Sequence, residues 1–181
     1  GTTTASNTGD DNIGIGRNAL FDNTTGYYNV AIGSNVLQNN VSGIGNTGVG
    51  TFALANNFDG SANSAFGDSS LGNNVGGYSN SAFGSVSMEN NTDGYQNSAF
   101  GVNALRSNTT GDGNIAFGYN TFGTTTTNNT GGNNVAIGNL SLFDNTTGSS
   151  NIGIGALALR RNTDGYNNVA IGENALTNNV S

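Results

Sequence analysis

The chain has 181 residues, a net charge of −7, only 8% charged residues, 30 Gly, and no Cys, His or Pro. Without Cys there is no disulfide and no thiolate metal site, and without His, Cys or Lys the usual nucleophile–base pairs cannot be assembled. Arg17, Arg106, Arg160 and Arg161 are the only cations, which is too few for the basic stripe that phosphate binding needs.

Read from its start, the chain repeats Asn-x-Ala-Ile-Gly at a step of 17 residues, from Asn12 through Asn29, Asn46, Asn63, Asn80, Asn97 and Asn114. After one slip it resumes at Asn134, Asn151 and Asn168. A fixed short period marks a stack of near-identical units rather than a closed globule. Residues 1–181 are therefore one repeat array, and its one irregular copy places three extra residues in the Thr-rich stretch Thr124 to Thr127. An insertion in one turn bulges outward and leaves the next unit in register. The array begins and ends part-way through a repeat, as in a processed chain or a window cut from a longer array.

Within a copy, numbered from its Asn, positions two to four alternate as on a strand, for example Val30-Ala31-Ile32. Position three is always Ala or Gly, and position five is always Gly, from Gly16 to Gly172. That Gly permits a positive φ and ends the strand. A second short strand is expected around Ala19-Leu20 and its equivalents. Asn-Thr-Thr-Gly segments such as Asn23 to Gly26 then have the residue types of a return turn. The expectation is an all-β chain, a narrow parallel β-solenoid (β-roll) of about ten coils with two faces.

Position four carries Ile15, Ile32, Val49, Phe66, Phe83, Phe100, Phe117, Ile137, Ile154 and Ile171. In three of the four Phe copies, position two shrinks to Ser64, Ser81 or Ser98. Trading bulk between two positions on one face keeps volume constant, as a packed interior requires. This column is expected to be the core ladder. The position-one column, Asn12, Asn29, Asn46, Asn63, Asn80, Asn97, Asn114, Asn134, Asn151 and Asn168, is expected to stack inward as an amide ladder. The smooth Ala/Gly face at position three is expected to receive a second chain.

The segment Gly165 to Leu176, Gly-Tyr-Asn-Asn-Val-Ala-Ile-Gly-Glu-Asn-Ala-Leu, resembles the head repeats of trimeric autotransporter adhesins. It is also similar to the Asn-Thr-Thr-Gly-Tyr-Asn-Asn-x-Ala-Ile-Gly arrays of phage tail-fibre-like and bacterial surface proteins. The likeness covers nearly the whole chain, although adhesin heads repeat at a shorter period. It implies a left-handed β-roll, three chains about one axis, and a location outside the cell, on a cell surface or virion fibre.

Three surface features call for a chemical reading. Tyr27, Tyr78, Tyr95 and Tyr166 share position sixteen, where an aromatic edge beside Asn and Asp would stack on sugar rings. Asn-x-Ser/Thr sequons place candidate glycosylation at Asn23, Asn40, Asn108, Asn128, Asn145 and Asn179, read as position twelve of the outward turn, with two more at Asn90 and Asn139. The acids are scattered; Asp59, Asp93 and Asp164 share a turn position, and no calcium-binding repeat is present.

The composite expectation is a structural or adhesive extracellular fibre segment, not an enzyme, with no cofactor and no metal. Its partners are copies of itself, as a trimer or an end-to-end filament, together with host-surface or environmental glycans. Nucleic acid and membrane insertion are not expected, since no apolar run approaches the ~20 residues of a span. The alternative is a glycan- or ice-binding solenoid.

Overall fold

The computed structural model describes residues 8–123 and 128–179; Thr124 to Thr127 lie outside the described residues. Each repeat contributes one three-residue strand. These are β1 (Ile13–Ile15), β2 (Val30–Ile32), β3 (Thr47–Val49), β4 (Ser64–Phe66), β5 (Ser81–Phe83), β6 (Ser98–Phe100), β7 (Ile115–Phe117), β8 (Val135–Ile137), β9 (Ile152–Ile154) and β10 (Val169–Ile171). They form a single sheet in chain order, β1 to β10. Every pairing is parallel and joins like repeat positions, as in Ser81↔Ser98, Ala82↔Ala99 and Phe83↔Phe100. The fold is an all-β solenoid with one rung per repeat. At about 4.8 Å per strand, ten rungs span on the order of 45 Å.

The register holds across the irregular copy, where Phe117 still pairs with Ile137.

Among the described residues the second strand expected near Ala19-Leu20 is absent: positions six to eleven form turns. Two residues there adopt the left-handed conformation in every rung. Position seven is one, as at Asn35 (φ 58) and Val86 (φ 51), and position nine is the other, from Leu37 (φ 47) to Leu20 (φ 54). A left-handed residue costs an L-amino acid roughly 1–2 kcal/mol. Burying the position-nine side chain offsets this, at roughly 1.5–3 kcal/mol for a Leu. The turns still bond rung to rung, as in Leu37 N–H to the Ala53 carbonyl at 3.1 Å. In the return turn, three successive amides converge on one carbonyl of the next rung: Phe58, Asp59 and Gly60 N–H all donate to the Val75 oxygen.

The core is built from different columns than the sequence pattern suggests. Position nine is fully buried in the inner rungs, as at Leu37, Leu54, Leu71, Met88, Leu105 and Phe122, while Leu176 in the last rung is exposed. So is position three, where Ala31, Ala65, Ala82, Ala99, Ala116 and Ala136 are wholly inaccessible. Position eight completes the apolar interior with Val36, Ala53, Ala104 and Ala158. The expected position-four ladder is thus corrected. Ile15, Ile32, Val49, Phe66, Phe83, Phe100, Phe117, Ile137, Ile154 and Ile171 do stack in one column, but none is buried. Phe66 is 38% and Phe117 50% exposed, whereas Leu105 is at 0%. The reason is steric. Two short walls lie close together, so Ala must point inward, and strand alternation turns positions two and four outward.

Candidate functional site: two asparagine columns and an apolar strand face

The interior contains a second kind of core, made of amides. At position one, Asn29, Asn46, Asn63, Asn80, Asn97, Asn114, Asn134 and Asn151 are fully buried; Asn12 and Asn168 in the end rungs are partly so. Each side-chain oxygen accepts the backbone N–H of the next Asn in the column, for example Asn46 N–H to Asn29 Oδ1 at 2.9 Å. The Asn46 Nδ2 donates to Asn29 Oδ1 at 3.1 Å and to the Gly60 carbonyl at 2.8 Å. Both ends of each amide are satisfied, which is what permits its burial.

A second column runs through position twelve, and sequence reasoning missed it. Asn23, Asn40, Asn57, Asn74, Asn91, Asn108, Asn145 and Asn162 are all fully buried. Nδ2 of Asn57 donates to Asn40 Oδ1 at 2.8 Å and to the Gly60 carbonyl at 2.8 Å. The two columns therefore converge on the same position-fifteen carbonyl. That explains the Gly there: a Cβ on Gly60 would stand 2.5 Å from Asn57 Oδ1, from Asn74 Nδ2 and from the Gly77 oxygen. The signal was present in the sequence, since Asn recurs at position twelve even where no sequon follows, as at Asn57, Asn74 and Asn162.

This burial corrects the glycosylation expectation at Asn23, Asn40, Asn108 and Asn145. Their amides lie in the interior and are held by hydrogen bonds, so a sugar has neither a free nitrogen nor room. Asn128 is exposed, and its neighbour Asn129 is buried in its stead, with Nδ2 on the Asn145 carbonyl at 3.0 Å. Among the described residues, the amide-to-amide chain breaks at this irregular rung, and Asn108 Oδ1 is buried without a donor. Asn179 is partly buried, with Nδ2 on Asn162 Oδ1 at 2.9 Å.

The tyrosines are not one uniform edge. Tyr78 and Tyr95 stack with ring centroids 4.8 Å apart and planes 1° off parallel, so each covers a face of the other. Tyr95 N–H donates to Asp112 Oδ1 at 2.9 Å. Hydrogen bonding to Asp112, and its charge, hold the Tyr95 phenol above its ordinary pKa. Tyr27 packs edge-on against Tyr28, and Tyr166 is 73% exposed. Among the described residues, no three His, Cys, Asp or Glu side chains gather as a metal group. Glu89 and Arg106, in adjacent rungs, form an ion pair at 2.9 Å. No helix of the described residues is long and apolar enough to cross a membrane.

What remains on the outside is an apolar face running the length of the sheet. Its two columns are position two (Ile13 and Val30 to Val169) and position four (Ile15 to Ile171), and neither contains a charged residue. Along its middle, Phe66, Phe83, Phe100 and Phe117 stack at centroid distances of 4.8 to 4.9 Å. Ser64, Ser81 and Ser98 lie beside the first three. The expected docking surface at position three is corrected here: Ala31, Ala65, Ala82, Ala99 and Ala116 face the interior. Comparison with protein-family models, with curated proteins and with solved structures finds no match to this chain.

Proposed function

We propose that this chain is a structural rod, a shaft or head segment of an extracellular fibre, which works in contact with copies of itself. The observation that carries this reading is the continuity of its bonding along one axis. Backbone ladders and a buried Asn column link each rung to the next in the same direction, and stacked Phe rings add to them from β4 to β7. Such an arrangement resists extension, and it presents like residues at a fixed spacing, which favours multivalent contact. The resemblance to adhesin heads and tail-fibre arrays supports the same reading.

Self-association follows from the energetics of a thin rod. Each rung buries one large side chain at position nine and small ones at positions three and eight, while the apolar strand face stays in water. Covering that face would add roughly 25 cal/mol per Å² of apolar area. The test is light scattering across a concentration series, followed by negative-stain imaging of the associated fraction. Elongated assemblies are expected. A chain that stays monomeric at high concentration would overturn the reading.

A further inference from the structure

We infer that the strand face is an interface between copies of this chain that lie parallel and in register. The position-two column of one copy packs against the position-four column of its neighbour at the same rung. This rests on the self-association proposed above, and it names the surface and the geometry.

The first observation is a volume relation on a surface where solvent imposes none. Positions two and four both face outward, yet their combined bulk is nearly constant. Where position four grows to Phe66, Phe83 or Phe100, position two shrinks to Ser64, Ser81 or Ser98. Elsewhere the pairs are medium-sized, as in Val30 with Ile32 or Val135 with Ile137. Water tolerates any bulk; a second protein surface at a fixed distance does not. Two pairs depart from the rule: Thr47 with Val49 is smaller, and Ile115 with Phe117, in the rung that carries the insertion, is larger.

The second observation selects the orientation. The Phe rings stack on one another along the rod, which makes a ridge beside a strip of serines. A twofold axis parallel to the rod sets position four of one copy opposite position two of the other, at the same rung, so ridge meets strip. A twofold axis across the rod would set four on four and two on two, ridge against ridge, and overpack the middle.

The third observation is the extent and character of the face. Ten rungs at ~4.8 Å, with two columns roughly 12 Å across, give on the order of 500 Å² per copy. Two copies then share about 1,000 Å², the lower bound for a specific interface. The strip is apolar along position four, with Thr47, Ser64, Ser81 and Ser98 interrupting position two, and its area is that of the largest apolar patches on monomer surfaces, which are often functional. Because neither column contains a charge, no ionised group is desolvated when the faces meet.

The chain has no cysteine, so introduced thiols report geometry alone. Ser81→Cys chains mixed with Phe83→Cys chains are oxidised mildly and run without reductant. The expected result is a disulfide between the two variants, in excess of either variant with itself, since bridging needs Cβ atoms about 4 Å apart. In parallel, Phe83→Ser and Ser81→Phe should each weaken association roughly tenfold, and the double swap should restore it. If Ser81→Cys instead bridges preferentially to Ser98→Cys, or if the wild type associates but the Cys variants show no preferred bridge, the geometry is overturned and the fibre reading stands. A wild type that does not associate overturns both.

Discussion

Val36 fills the space that a side chain on Gly48 would need: its Cγ1 lies 2.6 Å from where a Gly48 Cβ would stand. The two belong to adjacent rungs, Val36 at position eight and Gly48 at position three, and both face the interior. The same exchange recurs where Ser141 meets Gly153, with Ser141 Oγ donating to the Gly153 carbonyl at 2.9 Å. At these two places positions three and eight therefore share space. Gly48→Ala should destabilise the rod by roughly 1–3 kcal/mol through overpacking. Val36→Ala added to it should recover much of that loss. Thermal melts of the two single variants and the double form a mutant cycle, and additive losses would show that the pair does not share space.

The position-twelve amides make a second stability prediction. Asn57→Ala removes the donor to Asn40 Oδ1 and Gly60, and the acceptor of Asn74 Nδ2 at 2.7 Å. Each buried group left unpaired costs roughly 1–3 kcal/mol. Asn57→Asp should be at least as harmful, because it loses the donor and buries a charge. Equilibrium denaturation measures both, and an Asn57→Ala variant as stable as wild type would mean that the column is ornamental.

Val86 makes the opposite prediction. It is β-branched, yet it holds φ 51 at position seven, where five other rungs carry Asn, including Asn35 and Asn103. Asn tolerates this conformation and Val resists it. Val86→Asn should stabilise the chain by about 1 kcal/mol. It should also offer an amide partner to Asn103, as Asn18 Nδ2 already donates to Asn35 Oδ1 at 2.9 Å. A lowered melting temperature would contradict the strain argument.

Gly101 tests the strand end. Its φ is 135, and a Cβ there would collide with the Gly118 carbonyl of the next rung. Gly101→Val should therefore lose several kcal/mol, through conformation and collision together. Circular dichroism of the purified variant reads this directly, and a normal melt would mean that the backbone relaxes without cost.

The rod, its period and the strand register were legible in the sequence, because Asn, Ala/Gly and Gly recur at fixed steps and parallel rungs must align like with like. The inside and the outside of the strand were not. Bulk at position four reads as core only if the two walls are far enough apart to hold it. The turns at positions six to eleven bring the walls together and reserve the space for Leu105 and its equivalents. Those turns were themselves hidden, because a Leu in the left-handed region is a choice that local propensity disfavours and tertiary packing imposes. The return-turn Asn read as surface because sequons are surface marks in most chains. Here the small Gly94 beside Asn91 and Asn108 makes room for the amides within.

The central claim is that position nine lies inside the rod and position four outside. The most direct measurement is a pair of thermal melts, for Leu105→Ala and Phe100→Ala, at a dilution where the chain is not associated. The account predicts a loss of roughly 2–5 kcal/mol for Leu105→Ala. For Phe100→Ala, which forfeits two stacks, on Phe83 and on Phe117, it predicts a smaller loss of about 1–3 kcal/mol. The reverse order, with Phe100→Ala the more damaging, would contradict it.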